Sequence, residues 1–189
     1  MPFTEKKSIS GNLRLLHIGG DPKLEHSVLI LCDTSPDDAE LKLLENFRKL
    51  GRDVTVLLPP EDSIPGSTFN FGEVLYELHS LPGNVFLVSM GGFAPHIIEN
   101  FSQLNNVCKV VFVNPAFRKD ILTKMAGFEL PVLVISATPG SLDHDPDAVK
   151  YHDLISGSSI SYIRGIVGNP IYMKFTQSFN SIQRFLLNG

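Results

Sequence analysis

Short apolar runs alternate along this chain with longer stretches in which apolar residues recur every three or four positions. Residues 12–18, 27–32, 53–58, 84–88, 107–113, 130–136 and 159–164 predict strands, and the continuous apolar runs 27–32 and 84–88 predict buried ones. Between them, Leu41, Leu44 and Phe47 mark one helix face, and Phe71, Val74, Leu75 and Leu78 a second. Ile97, Ile98, Phe101 and Leu104 mark a third, residues 117–126 a short helix, and Val149, Leu154 and Ile155 a further one. Phe175, Phe179, Ile182 and Leu186, spaced by four, three and four, predict the last.

The punctuation agrees with this division. Ser35, Pro36, Asp37 and Asp38 read as a cap, a proline at the first helical position and acids in the first turn. Gly51 and the pair Pro82 and Gly83 stop helices, and Asp145 before Pro146 reads as another cap. Gly19 and Gly20 read as a turn, since no helix pattern follows them as a phosphate loop would require. Pro95 falls just inside the third helix, where its missing N–H predicts a distorted or restarted first turn. Strands alternating with helices in this way imply an α/β protein, a mostly parallel sheet with helices on both faces, in a single domain over residues 1–189. Sites in such sheets gather at the carboxyl ends of the strands. That end holds Cys32 to Ser35, Ser89, Asn114, the 137–146 loop and the 165–170 loop.

Composition narrows the function classes. The chain has 189 residues, 43% hydrophobic and 19% charged, with a net charge of -4. Without a basic cluster it lacks what nucleic-acid binding needs. No apolar run is long enough to span a bilayer, and the first residues lack the apolar core of a signal peptide, so a cytoplasmic, intracellular protein is expected. Cys32 and Cys108 fall near opposite ends of parallel strands, about 15 Å apart, beyond disulfide reach, and read as core residues. No metal-ligand spacing and no nucleotide fingerprint is present, so no cofactor and no metal are expected.

The stretch from Asn84 to Gly92 carries the chemistry. Val85, Phe86, Leu87 and Val88 run into Ser89, Met90 and two glycines, followed by helical spacing. A sharp strand-to-helix turn lifts its central side chain off the end of the sheet, and small neighbours let strand and helix approach. This resembles the nucleophile elbow of the α/β-hydrolase superfamily, with Ser89 as nucleophile. Leu87 stands where the first glycine of the pattern usually is, and Val88 where a histidine often is. The likeness follows the order of elements through nearly the whole chain, and is most specific from residue 84 to residue 115. It implies a three-layer α/β-hydrolase-like sandwich without a lid insertion, since only about 17 residues separate the strands flanking the usual lid position.

The resemblance also assigns the other roles. Asp143 lies close to the usual position of the acid. The usual histidine position, in the loop after the last strand, is Asn169, which cannot take a proton from serine near neutral pH. In a serine protease the loss of either serine or histidine costs about a million-fold in turnover. His144, beside Asp143, is the leading displaced base. His17, His26, His79 and His152 fall elsewhere in the pattern, and His96 lies about 10 Å down the helix axis from Ser89. The oxyanion donors would be the N–H of Met90 and one from the loop opening at Asp33 and Thr34. The Asp33 carboxylate would oppose a developing oxyanion unless it turns away to cap the helix at Ser35.

Two functions fit. One is a non-catalytic or very weakly active protein that binds a small-molecule ligand or a protein partner at an open site. The other is a small serine hydrolase of the carboxylesterase or thioesterase type, using Ser89 with a non-standard base.

Overall fold

The computed structural model describes residues 3–8, 13–59, 70–139 and 145–187. It contains a mostly parallel eight-stranded sheet with helices, and the strand order is 1-2-4-3-5-6-7-8. The chain gathers into two compact units. The first comprises residues 1–88 with 103–108, the second residues 89–102 with 109–189.

In the first unit the strands are β1 (Thr4–Lys7), β2 (Arg14–Gly19), β3 (His26–Leu31) and β4 (Asp53–Leu58). β3 and β4 are parallel, as their continuous apolar sequences imply, with Val28 opposite Val54 and Leu31 opposite Leu57. β2 runs antiparallel to β4, and β1 antiparallel to β2. β1 has no apolar alternation to predict it. Its exposed Glu5 and Lys6 suit a sheet edge, where charge discourages further strand pairing.

Helix α1 (Asp38–Leu44) continues as a 3₁₀ turn over Glu45–Lys49, and together they bury Leu44 and Phe47. Its cap is Asp37, not Ser35. Asp37 accepts from the Glu40 N–H while Glu40 accepts from the Asp37 N–H, a reciprocal box that a cap two residues earlier could not form. The turn expected at Gly19 and Gly20 falls later: Gly19 is the last residue of β2, and the Leu24 N–H closes a turn on the Asp21 carbonyl, while an added Cβ on Gly20 would lie 1.9 Å from the Gly51 carbonyl oxygen. Only glycine permits that approach. Asn70 caps α2 (Phe71–Ser80), which buries Val74, Leu75 and Leu78.

Strand β5 (Asn84–Met90) begins in the first unit and β6 (Val107–Val113) passes from it into the second. Cys108 is half-buried and its thiol donates to the Val85 carbonyl, while Cys32 is buried; the two are not joined in a disulfide.

In the second unit β6 is parallel to β7 (Val132–Thr138), and β7 to β8 (Ser159–Arg164). A 3₁₀ turn over Lys119–Ile121 and helix α4 (Leu122–Met125) lie between β6 and β7. Pro95 is absorbed by a restart: a 3₁₀ turn spans Gly91–Phe93, and α3 (Ala94–Glu99) begins afresh with the proline in its first turn, where no N–H is needed. Helix α5 (Pro146–Leu154) buries Ala148 and Tyr151, with Ile155 following, whereas Val149 and Leu154 are only partly covered. The face is therefore rotated from the one the aliphatic residues alone predict, because Tyr151 carries the largest apolar surface. Its ring packs 5.3 Å from that of Phe112. Past the short α6 (Pro170–Met173), α7 (Phe175–Leu187) buries Phe179, Ile182 and Leu186 of the predicted face, while Phe175 at its start is only partly covered. Lys109 closes it by donating to the Phe185 and Leu186 carbonyls, placing a cation at the negative helix end. Among the described residues no helix is long and apolar enough to cross a membrane.

Candidate functional site

The carboxyl ends of β5 to β8 in the second unit bring together the β5–α3 turn, Asn114, Asp145 and Asn169. At the turn, the strand runs one residue beyond the serine, through Met90. The residue in the left-handed region is Gly91, with φ 62°. Ser89 therefore remains a strand residue. It is 1% exposed, and its hydroxyl has no hydrogen-bond partner among the described residues. The expectation that the turn lifts Ser89 off the sheet is corrected on this point. A left-handed backbone costs an L-residue roughly 1–2 kcal/mol, and with a glycine two positions downstream the chain bends there instead.

Asn114, directly after β6, is the one described non-glycine residue with positive φ, at 45°. Its backbone N–H donates to the Ile135 carbonyl at 2.8 Å. Its side chain reaches two further segments. Oδ1 accepts from the Ala137 N–H at 2.8 Å, and Nδ2 donates to the Gly168 carbonyl at 2.7 Å. One side chain thus ties the ends of β6 and β7 to the loop after β8. Position 114 stood out in sequence only as a strand exit. The signal that could have marked it is an asparagine followed by proline at a carboxyl end, since asparagine tolerates left-handed backbone.

Asp145 is the cap of α5, accepting from the Asp147 N–H at 3.0 Å, as expected. Its second oxygen accepts a 2.6 Å bond from the buried Ser136 hydroxyl. Nearby, burial first and then the charges of Asp145 and Asp153 raise the Tyr162 phenol above its ordinary range.

Asn169 caps α6. Oδ1 accepts from the Ile171 N–H at 2.9 Å, which fixes the orientation of the amide. Its NH₂ end then faces the β5–α3 turn, and Nδ2 donates to the Met90 sulfur at 3.2 Å. The Tyr172 hydroxyl lies 3.6 Å from the same sulfur. The residue at the usual histidine position and the residue after Ser89 are therefore in direct contact.

Asp143 and His144 lie outside the described residues. Asp33, half-buried, and Thr34, exposed, follow β3 in the first unit, and the capping role suggested for Asp33 at Ser35 does not arise, because Asp37 caps α1. The described histidines are engaged elsewhere. His17 Nδ1 is 3.4 Å from the Thr55 hydroxyl, and the His26 ring packs on that of Phe86. His79 is 2.8 Å from the Gln103 carbonyl, His96 is 3.4 Å from Glu99, and His152 is 3.1 Å from Ser158. Among the described residues no group of three or more His, Cys, Asp or Glu side chains could hold a metal ion.

No family model and no curated protein matches the sequence. Solved structures do match the fold. Est1E from Butyrivibrio proteoclasticus superposes with a TM-score of 0.74 at 9% identity, covering 99% of this chain and 98% of that one. The carboxylesterase CesB (YbfK) from Bacillus subtilis gives 0.72 at 10% identity, with 99% and 92% covered. The esterase RhEst1 from Rhodococcus sp. ECU1013 gives 0.67 at 14% identity, with 100% and 99% covered.

Proposed function

We propose that this chain uses its α/β-hydrolase fold to bind a small molecule at the carboxyl ends of its strands without turning it over. One observation carries the reading: the left-handed residue between β5 and α3 is Gly91. In hydrolases of this fold the residue on the strained turn is the nucleophile, because that conformation exposes its side chain. A glycine there has no atom with which to attack. Ser89 stands two residues earlier inside the strand, almost fully buried.

Asn169 supports the same reading. It is held as a helix cap and as a donor to Met90, and an amide of that polarity has no means of accepting a proton from a hydroxyl. The esterase activities of the structural neighbours belong to those proteins, since one fold carries many functions.

The test is labelling of the purified protein with a fluorophosphonate probe, beside Ser89→Ala and the double variant Gly91→Ser with Asn169→His. The expected result is no serine-dependent labelling of the unaltered chain and a gain of labelling in the double variant. Labelling of the unaltered chain that disappears in Ser89→Ala would overturn the proposal in favour of an ester or thioester hydrolase. Loss of that labelling in His144→Ala would then identify the base.

A further inference from the structure

Resting on that reading, we infer that the ligand is a small apolar carboxylate, and that its oxygen is received by the Asn169 amide. The argument begins with the polarity of that side chain. Because Oδ1 is held by the Ile171 N–H, the amide presents only donors to the rest of the site. One N–H points to the Met90 sulfur, a weak acceptor. The other has no acceptor among the described residues, and the side chain is half-buried rather than sealed. A group that complements it must therefore bring an acceptor. The position that would hold a proton acceptor in a hydrolase is here a fixed donor.

The donor is also pre-organised. Asn114 holds the adjacent Gly168 carbonyl at 2.7 Å from a left-handed backbone. Asparagine tolerates that conformation, and here the bonds to Ile135, Ala137 and Gly168 hold it in place. Pre-organisation lowers the ordering cost of binding.

Charge and apolar surface on the same segment define the rest of the ligand. Residues 164–174 contain Arg164 and Lys174 and no acidic residue. Both cations are exposed, and neither has an ion-pair partner among the described residues. In a chain of net charge -4 this segment is locally positive, which favours an anion over a neutral acceptor. Val167 and Met173 are 74% and 54% exposed, among the most exposed large apolar side chains of the described chain. Gly168 connects the two features: a Cβ there would lie 3.3 Å from the Met173 sulfur, so the methionine lies over the glycine beside the donor. An anionic head at Asn169 with a short apolar tail against Met173 and Val167 matches both.

The experiment uses the full chain labelled with ¹⁵N and titrated with hexanoate and, separately, hexylamine. Hexanoate is expected to shift the Asn169 side-chain NH₂ resonances, and hexylamine is not. Asn169→Asp retains a carboxylate able to cap α6 but removes the donor, so it should weaken hexanoate binding by about tenfold or more while leaving the backbone spectrum in place. Should that variant fail to fold, Arg164→Gln with Lys174→Gln, both at exposed positions, should weaken hexanoate binding and flatten its salt dependence. Equal binding of hexylamine, undiminished hexanoate binding by the variants, or hexanoate shifts that bypass Asn169 would each overturn the inference. Turnover of p-nitrophenyl hexanoate by the unaltered chain would sink the non-catalytic reading alone, leaving the Asn169 contact to stand or fall on the titration.

Discussion

Replacing Asn114 tests how the carboxyl-end loops are held. Asn114→Ala keeps the backbone bond to Ile135 but deletes the side-chain bonds to Ala137 and Gly168. Each is worth about 1 kcal/mol net. The substitution also leaves an alanine at φ 45°, where the Cβ clash costs about 1 kcal/mol that asparagine partly evades by local hydrogen bonding. The expected loss is about 3 kcal/mol. Asn114→Gly loses the same bonds but adopts the conformation freely, so it should lie about 1 kcal/mol above the alanine variant. The chain has no tryptophan, so urea unfolding is best followed by far-ultraviolet circular dichroism. With a slope of about 2 kcal/mol per molar urea, the midpoint should fall by about 1.5 M for alanine and about 1 M for glycine. An alanine variant as stable as the glycine variant would refute the backbone part of the argument. Midpoints of both variants within about 0.3 M of the unaltered chain would refute the hydrogen-bond part.

Two further predictions concern buried hydroxyls. Burial, and then the charge of Asp147, raise the Tyr151 phenol well above its ordinary range, and its hydroxyl donates to the Ala116 carbonyl at 2.8 Å. The folded state thus keeps a proton that the unfolded chain releases near pH 10, so this contribution is complete below about pH 10 and is lost as pH rises beyond it. Tyr151→Phe should cost about 1 kcal/mol at neutral pH and make the alkaline decline shallower, with Tyr162 contributing equally to both curves. Identical alkaline slopes in urea midpoints taken at a series of pH values would contradict this. The Ser89 hydroxyl is buried without a partner among the described residues, so Ser89→Ala should be neutral or raise stability by about 1 kcal/mol. A midpoint lowered by the equivalent of more than about 1 kcal/mol would mean that the hydroxyl makes an unrecognised bond.

Much of the architecture was legible because it depends on local chemistry. Seven of the eight strands follow from apolar runs, and the eighth, β1, escaped because pairing with β2, not its own pattern, makes it a strand. The Asp145 cap was readable from the proline after it, and the Pro95 restart from the missing N–H. The α1 cap was misplaced because Ser35 and Pro36 give a good local signal, while the reciprocal box at Asp37 and Glu40 satisfies more backbone. The burial of Tyr151 does not follow from the aliphatic spacing of α5, because its aromatic area sets the buried face.

The candidate site divides along the same line. The sequence by itself determined which segments reach the carboxyl ends of the strands and that Asn169, not histidine, stands in the last loop. It did not determine which residue of the Ser-Met-Gly-Gly run takes the left-handed conformation, since a serine and a glycine two positions apart are both compatible with a strand-to-helix turn. Only the tertiary structure decided that the bend is at Gly91, that Asn114 ties the ends of β6 and β7 to the β8 loop, and that the Asn169 amide turns its donors toward Met90. The physical reason is one of range. Periodicity and capping depend on neighbours a few residues away, whereas a backbone dihedral at a turn and the direction of an amide are fixed by hydrogen bonds to segments that the chain brings close only when it folds.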